Sequence, residues 1–180
     1  MKTKKCITPK SLAVLIAVGM LAVAHLVSAG DLLVDTQFSK ESGWSFWVNQ
    51  PVVMSGGSVT LQGGVAIAKS PAMENQNTMD IQLIKSIDIE ANKSYTVKFT
   101  ANADTAGKLT VSYCLSKAPY TSYASTDIVV GPGENEYECT LNVKEDRHWG
   151  YDAPRSLRLF LGAFKDATIT VSNVSFREVE

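Results

Sequence analysis

Histidine and cysteine are scarce in this chain: two histidines and three cysteines among 180 residues. None of them falls at the close spacing that builds a structural metal site. A Ser-His-Asp triad would have to use His148, with Asp146 or Asp152 beside it. No G-x-S-x-G elbow supplies the nucleophile, so His148 reads as a polar loop residue. A glycine-rich phosphate loop is also lacking; Gly56-Gly57 and Gly63-Gly64 sit in hairpin-like settings. Basic clusters are missing too, which argues against nucleic acid or an anionic membrane as partner. No internal repeat, no low-complexity stretch and, beyond residue 29, no helical period is visible.

What is present starts with a leader. Lys2, Lys4, Lys5 and Lys10 precede the apolar run 11–27, and Val27-Ser28-Ala29 offers small residues at a cleavage site. That order is the pattern of a secretory signal. At 17 residues the run is near the minimum for an uncleaved membrane anchor, but His25 inside it and the small-residue site favour cleavage. Cys6 precedes the run and so is not a lipoprotein cysteine. Residues 1–29 are therefore expected to be a signal and residues 30–180 a single domain, secreted or periplasmic, with no membrane contact once the signal is cut. The signal takes four of the 17 basic residues and none of the 18 acidic ones, which leaves 13 against 18 and a net charge of −5. The remaining length suits one domain with one core.

Period-two alternation dominates that domain. In 94–103, Tyr95, Val97, Phe99 and Ala101 point one way and Thr96, Lys98, Thr100 and Asn102 the other. Such alternation marks strands with one buried and one wet face. The same reading predicts strands over 32–38, 44–48, 58–62, 65–68, 80–84, 86–89, 94–103, 108–115, 127–130, 136–143, 157–162 and 168–177. Turn signals separate them, among them Ser42-Gly43, Ala91-Asn92-Lys93, Ala106-Gly107 and Gly131-Pro132-Gly133. The expected fold is all-β, a jelly-roll β-sandwich of two antiparallel sheets. Two stretches rich in aromatics, 116–126 and 145–156, read as irregular.

Cysteine pairing stays open at this level. Export permits a bond between Cys114 and Cys139, worth about 3 kcal/mol. Parity opposes it: Cys139 shares a face with Tyr137, Leu141 and Val143, which reads as core. Cys114 shares one with Thr110 and Ser112, which reads as solvent. A β-bulge would reconcile the two.

Candidate chemistry lies in exposed rings rather than in acids. Glu134, Glu136 and Glu138 alternate on one face, and paired carboxylates serve glycosidases. Here they follow a Gly-Pro-Gly turn at the start of a strand and read as solvated charges. In Leu157-Arg158-Leu159-Phe160-Leu161 the leucines point inward, so Arg158 and Phe160 point outward. An aromatic ring on the polar face of a strand hints at a binding surface. Trp47 is out of phase with Trp44 and Phe46; if those two are core, Trp47 faces out. Gln82 lies outward between Ile81 and Leu83. The loops add Tyr120 and Tyr123, and Trp149 and Tyr151. Flat rings with polar neighbours suit sugars, which offer an apolar face and hydroxyls.

The chain resembles the carbohydrate-binding modules of families 4, 9 and 22, found beside cellulases and xylanases. The resemblance rests on Gly43-Trp44, MDIQLIKSIDIEANKSYTVKF, APYTSYA after a strand, Tyr137 opening the next, LRLFLG and the closing VSNVSF, and covers about 32–180. It implies a jelly roll whose concave sheet binds glycan, with Gln82 and Phe160 facing the cleft. Many members carry tryptophan three residues before the cleft-facing Gln or Glu; here it is Met79, which removes a stacking platform. Members often place an aspartate before the last strand's Asn-Val, where it helps hold calcium. Here it is Ser172, and a structural calcium would rest on Asp31 and Asp35. No other cofactor is expected.

The function expected is a non-catalytic module that binds polysaccharide, of β-glucan or xylan type, in an open groove on one sheet. Trp47 and Phe160 would give ring surface, Gln82 and Arg158 would address hydroxyls, and Tyr120 and Trp149 would close the ends. The alternatives are a structural or protein-binding β-sandwich of a secreted or cell-surface assembly, and a small glycan hydrolase or lyase. The last needs two carboxylates facing across the groove, and the expected strands offer no obvious pair.

Overall fold

A computed structural model describes residues 31–35 and 38–179. The expected signal, 1–29, lies outside the described residues, as do the side chains of Asp31 and Asp35 invoked for calcium. The described strands are β1 (Asp31–Asp35), β2 (Trp44–Val48), β3 (Ser58–Gln62), β4 (Val65–Ser70), β5 (Ile81–Ser86), β6 (Ser94–Ala103), β7 (Gly107–Leu115), β8 (Ser122–Val130), β9 (Asn135–Asn142), β10 (Arg155–Phe160) and β11 (Ala167–Glu178). They form two antiparallel sheets packed face to face. One runs β2-β5-β10-β7-β8; the other runs β3-β4-β11-β6-β9, with β1 also on β11. The chain crosses repeatedly between the sheets, and the fold is a jelly-roll β-sandwich.

Alternation explains the sandwich. Leu83, Leu109, Val111, Leu157 and Leu159 from one sheet meet Tyr95, Val97, Phe99, Ile169, Val171 and Phe176 from the other in one buried core. Each such aliphatic side chain contributes about 1.5–3 kcal/mol on leaving water. The two deepest tyrosines also find partners for their hydroxyls, as a buried phenol must. Tyr113 donates to the Ile87 carbonyl at 2.9 Å and Tyr95 to the Glu90 carbonyl at 3.0 Å. These bonds hold 87–90 as an irregular segment, where the pattern had suggested a further strand over 86–89.

Other expectations need correction. One continuous strand, β5 (Ile81–Ser86), takes the place of the two expected over 80–84 and 86–89, and Asp80 belongs to the turn before it. β8 begins at Ser122, inside a stretch expected to be irregular. A short helix, α1 (Gln50–Met54), follows β2; Pro51 suits its first turn and Val52 anchors it in the core. Trp44 is core, but Phe46 is 42% exposed. Phe46 keeps the inward parity, opposite Leu83. Its strand lies at the sheet edge, where the facing sheet leaves it uncovered.

Candidate functional site

Strand register carries the site. On the outer face of the five-stranded sheet, Trp47 pairs with Gln82, Gln82 with Phe160, Phe160 with Thr110, and Thr110 with Asp127. Directly paired residues share a face, so these five form a row across every strand. A second row runs Ser45, Ile84, Arg158, Ser112, Ser125, and a third runs Ser86, Ser156, Cys114, Ser122. Ring, amide, guanidinium and hydroxyl groups thus lie side by side on the face opposite the core.

Two loops wall this face. Before β5, a 3₁₀ turn at Thr78–Asp80 projects Met79, which is 57% exposed. Beyond β7, the Lys117–Tyr120 turn projects Tyr120, which is 61% exposed. That turn contains a cis Ala118–Pro119 bond and closes with the Tyr120 N–H on the Lys117 carbonyl at 2.8 Å. β5 and β7 run the same way, so Met79 and Tyr120 stand at opposite ends of the strands with the rows between them. The groove therefore crosses the strands. Two cavities make it up, and Met79, Tyr120 and Arg158 line both. One, of about 560 Å³, lies over Trp47, Gln82 and Ile84. The other, of about 360 Å³, lies over Phe160, Thr110, Ser112 and Ser125.

The polar groups of the floor are pre-ordered. Gln82 is only 8% exposed. Its Nε2 donates to the Met79 carbonyl at 2.7 Å, and its Oε1 accepts from Arg158 Nη1 at 2.9 Å. Arg158 Nε donates to Ser156 Oγ at 3.0 Å. Gln82 thus ties the Met79 turn to Arg158. Phe160 faces the groove as its parity demands, but neighbours on both sides leave it 6% exposed. It is floor rather than platform; Trp47, at 45%, offers the more open ring.

Carboxylates beside the groove are already engaged. Asp80 accepts from Asn49 Nδ2 at 2.9 Å and from the Asn77 N–H at 2.7 Å. Asp127 accepts from Thr110 Oγ1 at 2.6 Å and Lys108 Nζ at 3.0 Å. The Thr110 hydrogen bond, then that of Lys108, holds its carboxyl below the usual range. Cys114 keeps its predicted face but is buried rather than solvated, and burial raises its thiol. It contacts Ser112 Oγ at 3.1 Å. Cys139 belongs to the other sheet, and both thiols are free.

Trp149 is not at the groove. Its ring packs 4.8 Å from Tyr123 and 6.5 Å from Tyr113, with the Arg155 guanidinium 4.4 Å above it. Tyr113 points to the inner side of the sheet, so this cluster seals an end of the core. Residues that parity places in the groove but that were not singled out are Ile84, Ser125 and Asp127. Among the described residues no group of three His, Cys, Asp or Glu side chains is placed to hold a metal ion, and no helix is long and apolar enough to cross a membrane.

The fold is that of known carbohydrate-binding modules. A family 4 module superposes with a TM-score of 0.61 at 23% identity, over 76% of this chain and 86% of that one. The second N-terminal cellulose-binding domain of Cellulomonas fimi β-1,4-glucanase C gives 0.63 at 18%, over 86% and 98%. The CBM22-1 xylan-binding domain of Paenibacillus barcinonensis Xyn10C gives 0.50 at 12%, over 84% and 97%. No family model matches the sequence, and no curated protein does.

Proposed function

We propose that this protein is a non-catalytic module that holds a polysaccharide chain in the groove across its five-stranded sheet. The observation that carries the reading is the row Trp47–Gln82–Phe160 beside Arg158, walled by Met79 and Tyr120. It combines an open ring, hydroxyl-seeking donors and two apolar rims. The neighbouring folds support it: one is named as cellulose-binding and another as xylan-binding. The engagement of Asp80 by Asn49 and Asn77, and of Asp127 by Thr110 and Lys108, supports binding rather than catalysis. The leader-like segment supports export. Hydroxyl contacts trade water for protein at a net gain of about 1 kcal/mol each. The affinity expected is therefore modest, with a Kd on the order of 10–100 μM, or about 5–7 kcal/mol.

The test is retention of the purified protein on insoluble cellulose, xylan and β-glucan and on a soluble glycan array, beside Trp47→Ala and Tyr120→Ala. Binding by the wild type that both folded variants lose supports the groove. Failure of the wild type to bind any glycan overturns the reading and directs the search to protein partners.

A further inference from the structure

Among the residues lining the two cavities Arg158 is the one cation, and the one carboxylate, Asp80, is held by Asn49 and Asn77. Arg158 is half-buried, and among the described residues no carboxylate makes an ion pair with it; Lys108, at the groove's far end, is paired with Asp127. Its hydrogen bonds go to neutral oxygens, Ser156 Oγ and Gln82 Oε1. A guanidinium has five N–H donors, so both groups on Nη2 and one on Nη1 remain for a ligand. Ser156 and Gln82 fix the plane of the fork before any ligand arrives. Buried cations are normally matched by an anion, because partial desolvation without one is costly. A pre-ordered fork matches a carboxylate in two parallel bonds better than it matches a single hydroxyl.

Resting on the glycan-binding reading, we infer that the preferred ligand is an acidic polysaccharide, with a uronic acid carboxylate docked on Arg158 at the middle of the groove. Position supports this. Arg158 lines both cavities, so one acidic residue would sit between neutral sugars that occupy the Trp47 side and the serine- and threonine-lined side. The flanking acids do not compete for the guanidinium, since Asp80 turns to Asn49 and Asn77, and Asp127 to Thr110 and Lys108. Selectivity would be local, because the whole chain carries a net charge of −1 and is no general binder of polyanions.

The experiment compares, by calorimetry on the wild type, glucuronoxylan and polygalacturonate with the same polymers after reduction of their carboxyl groups to alcohols. At least one acidic polymer should bind about tenfold tighter than its reduced form, roughly 1.4 kcal/mol, and added salt should shrink the difference. Arg158→Gln should bring that ratio close to one. Equal or tighter binding of the reduced polymers overturns the inference while leaving the glycan reading intact, as does a ratio that survives in folded Arg158→Gln. Should Arg158→Gln fail to fold, the wild-type comparison decides alone. No binding to acidic, reduced or neutral polymers overturns both readings together.

Discussion

Residue by residue, the floor of the groove shows how an exposed-face position acquires a role. Parity places Gln82 and Arg158 outward, but the structure makes them a pair. Gln82 spends its oxygen on Arg158 and its nitrogen on the Met79 carbonyl, so one amide joins a loop to a guanidinium. The Cys139 thiol differs from this, being packed into the hydrophobic core. Burial, helped by nearby Glu138, pushes the Cys139 thiol up to about 11 from its ordinary value of 9.0. The folded state therefore prefers the neutral thiol. That preference stabilises the fold in full below the unfolded pKa near 9.0 and is lost as pH rises through about 11. Urea midpoints measured across this window should fall more steeply for the wild type than for Cys139→Ala. Identical slopes would show that the thiol does not contribute.

Among the elements, the long alternating strands were legible in sequence and the loop-shaped ones were not. β3 and β6 fall where their pattern puts them, because each alternates apolar and polar residues, and β2 keeps its expected bounds. The first half of β8, Ser-Tyr-Ala-Ser-Thr, carries no apolar alternation. Its pairing with β7 and a bulge at Tyr113/Cys114 make it a strand, and no local signal encodes that. α1 escaped for the same reason, since five residues are too few to show a period. The wall at Thr78–Asp80 depends on a glycine elsewhere in the chain. Gly162 donates its N–H to the Thr78 carbonyl at 2.9 Å. A Cβ there would run into the Asn77 carbonyl oxygen and lie 2.8 Å from that of Thr78. Backbone atoms cannot swing aside as a side chain does. Gly162→Ala should therefore cost about 1–3 kcal/mol by overpacking and weaken glycan binding by displacing Met79. Urea unfolding and calorimetry would read the two effects, and an unchanged midpoint would contradict the packing argument.

For the whole molecule, a jelly roll separates what holds it together from what it offers to a ligand. The core lies between the sheets, and the groove lies on the far face of one of them. The sequence suggested Trp47 and Trp149 as partners in one site, since both are aromatics near polar residues. Which side of a sheet a loop ring covers is a tertiary fact, decided here by Tyr113, Tyr123 and Arg155 gathering around Trp149. The two tryptophans should therefore respond to truncation in opposite ways. Trp149→Ala removes a half-buried ring and its cation–π contact, and should lower stability by about 1–3 kcal/mol, less than a fully buried ring would. Its affinity for glycan should stay within a factor of about two, under roughly 0.5 kcal/mol. Trp47→Ala strips an edge-strand ring that is 45% exposed, and should change stability by less than about 1 kcal/mol. Its affinity should fall about tenfold, roughly 1.4 kcal/mol. Thermal denaturation and calorimetry on the two variants give four numbers. If Trp149→Ala lost affinity while remaining folded, the groove would extend beyond the face described. If both variants lost stability alone, the outer face of the sheet would not be where ligand binds.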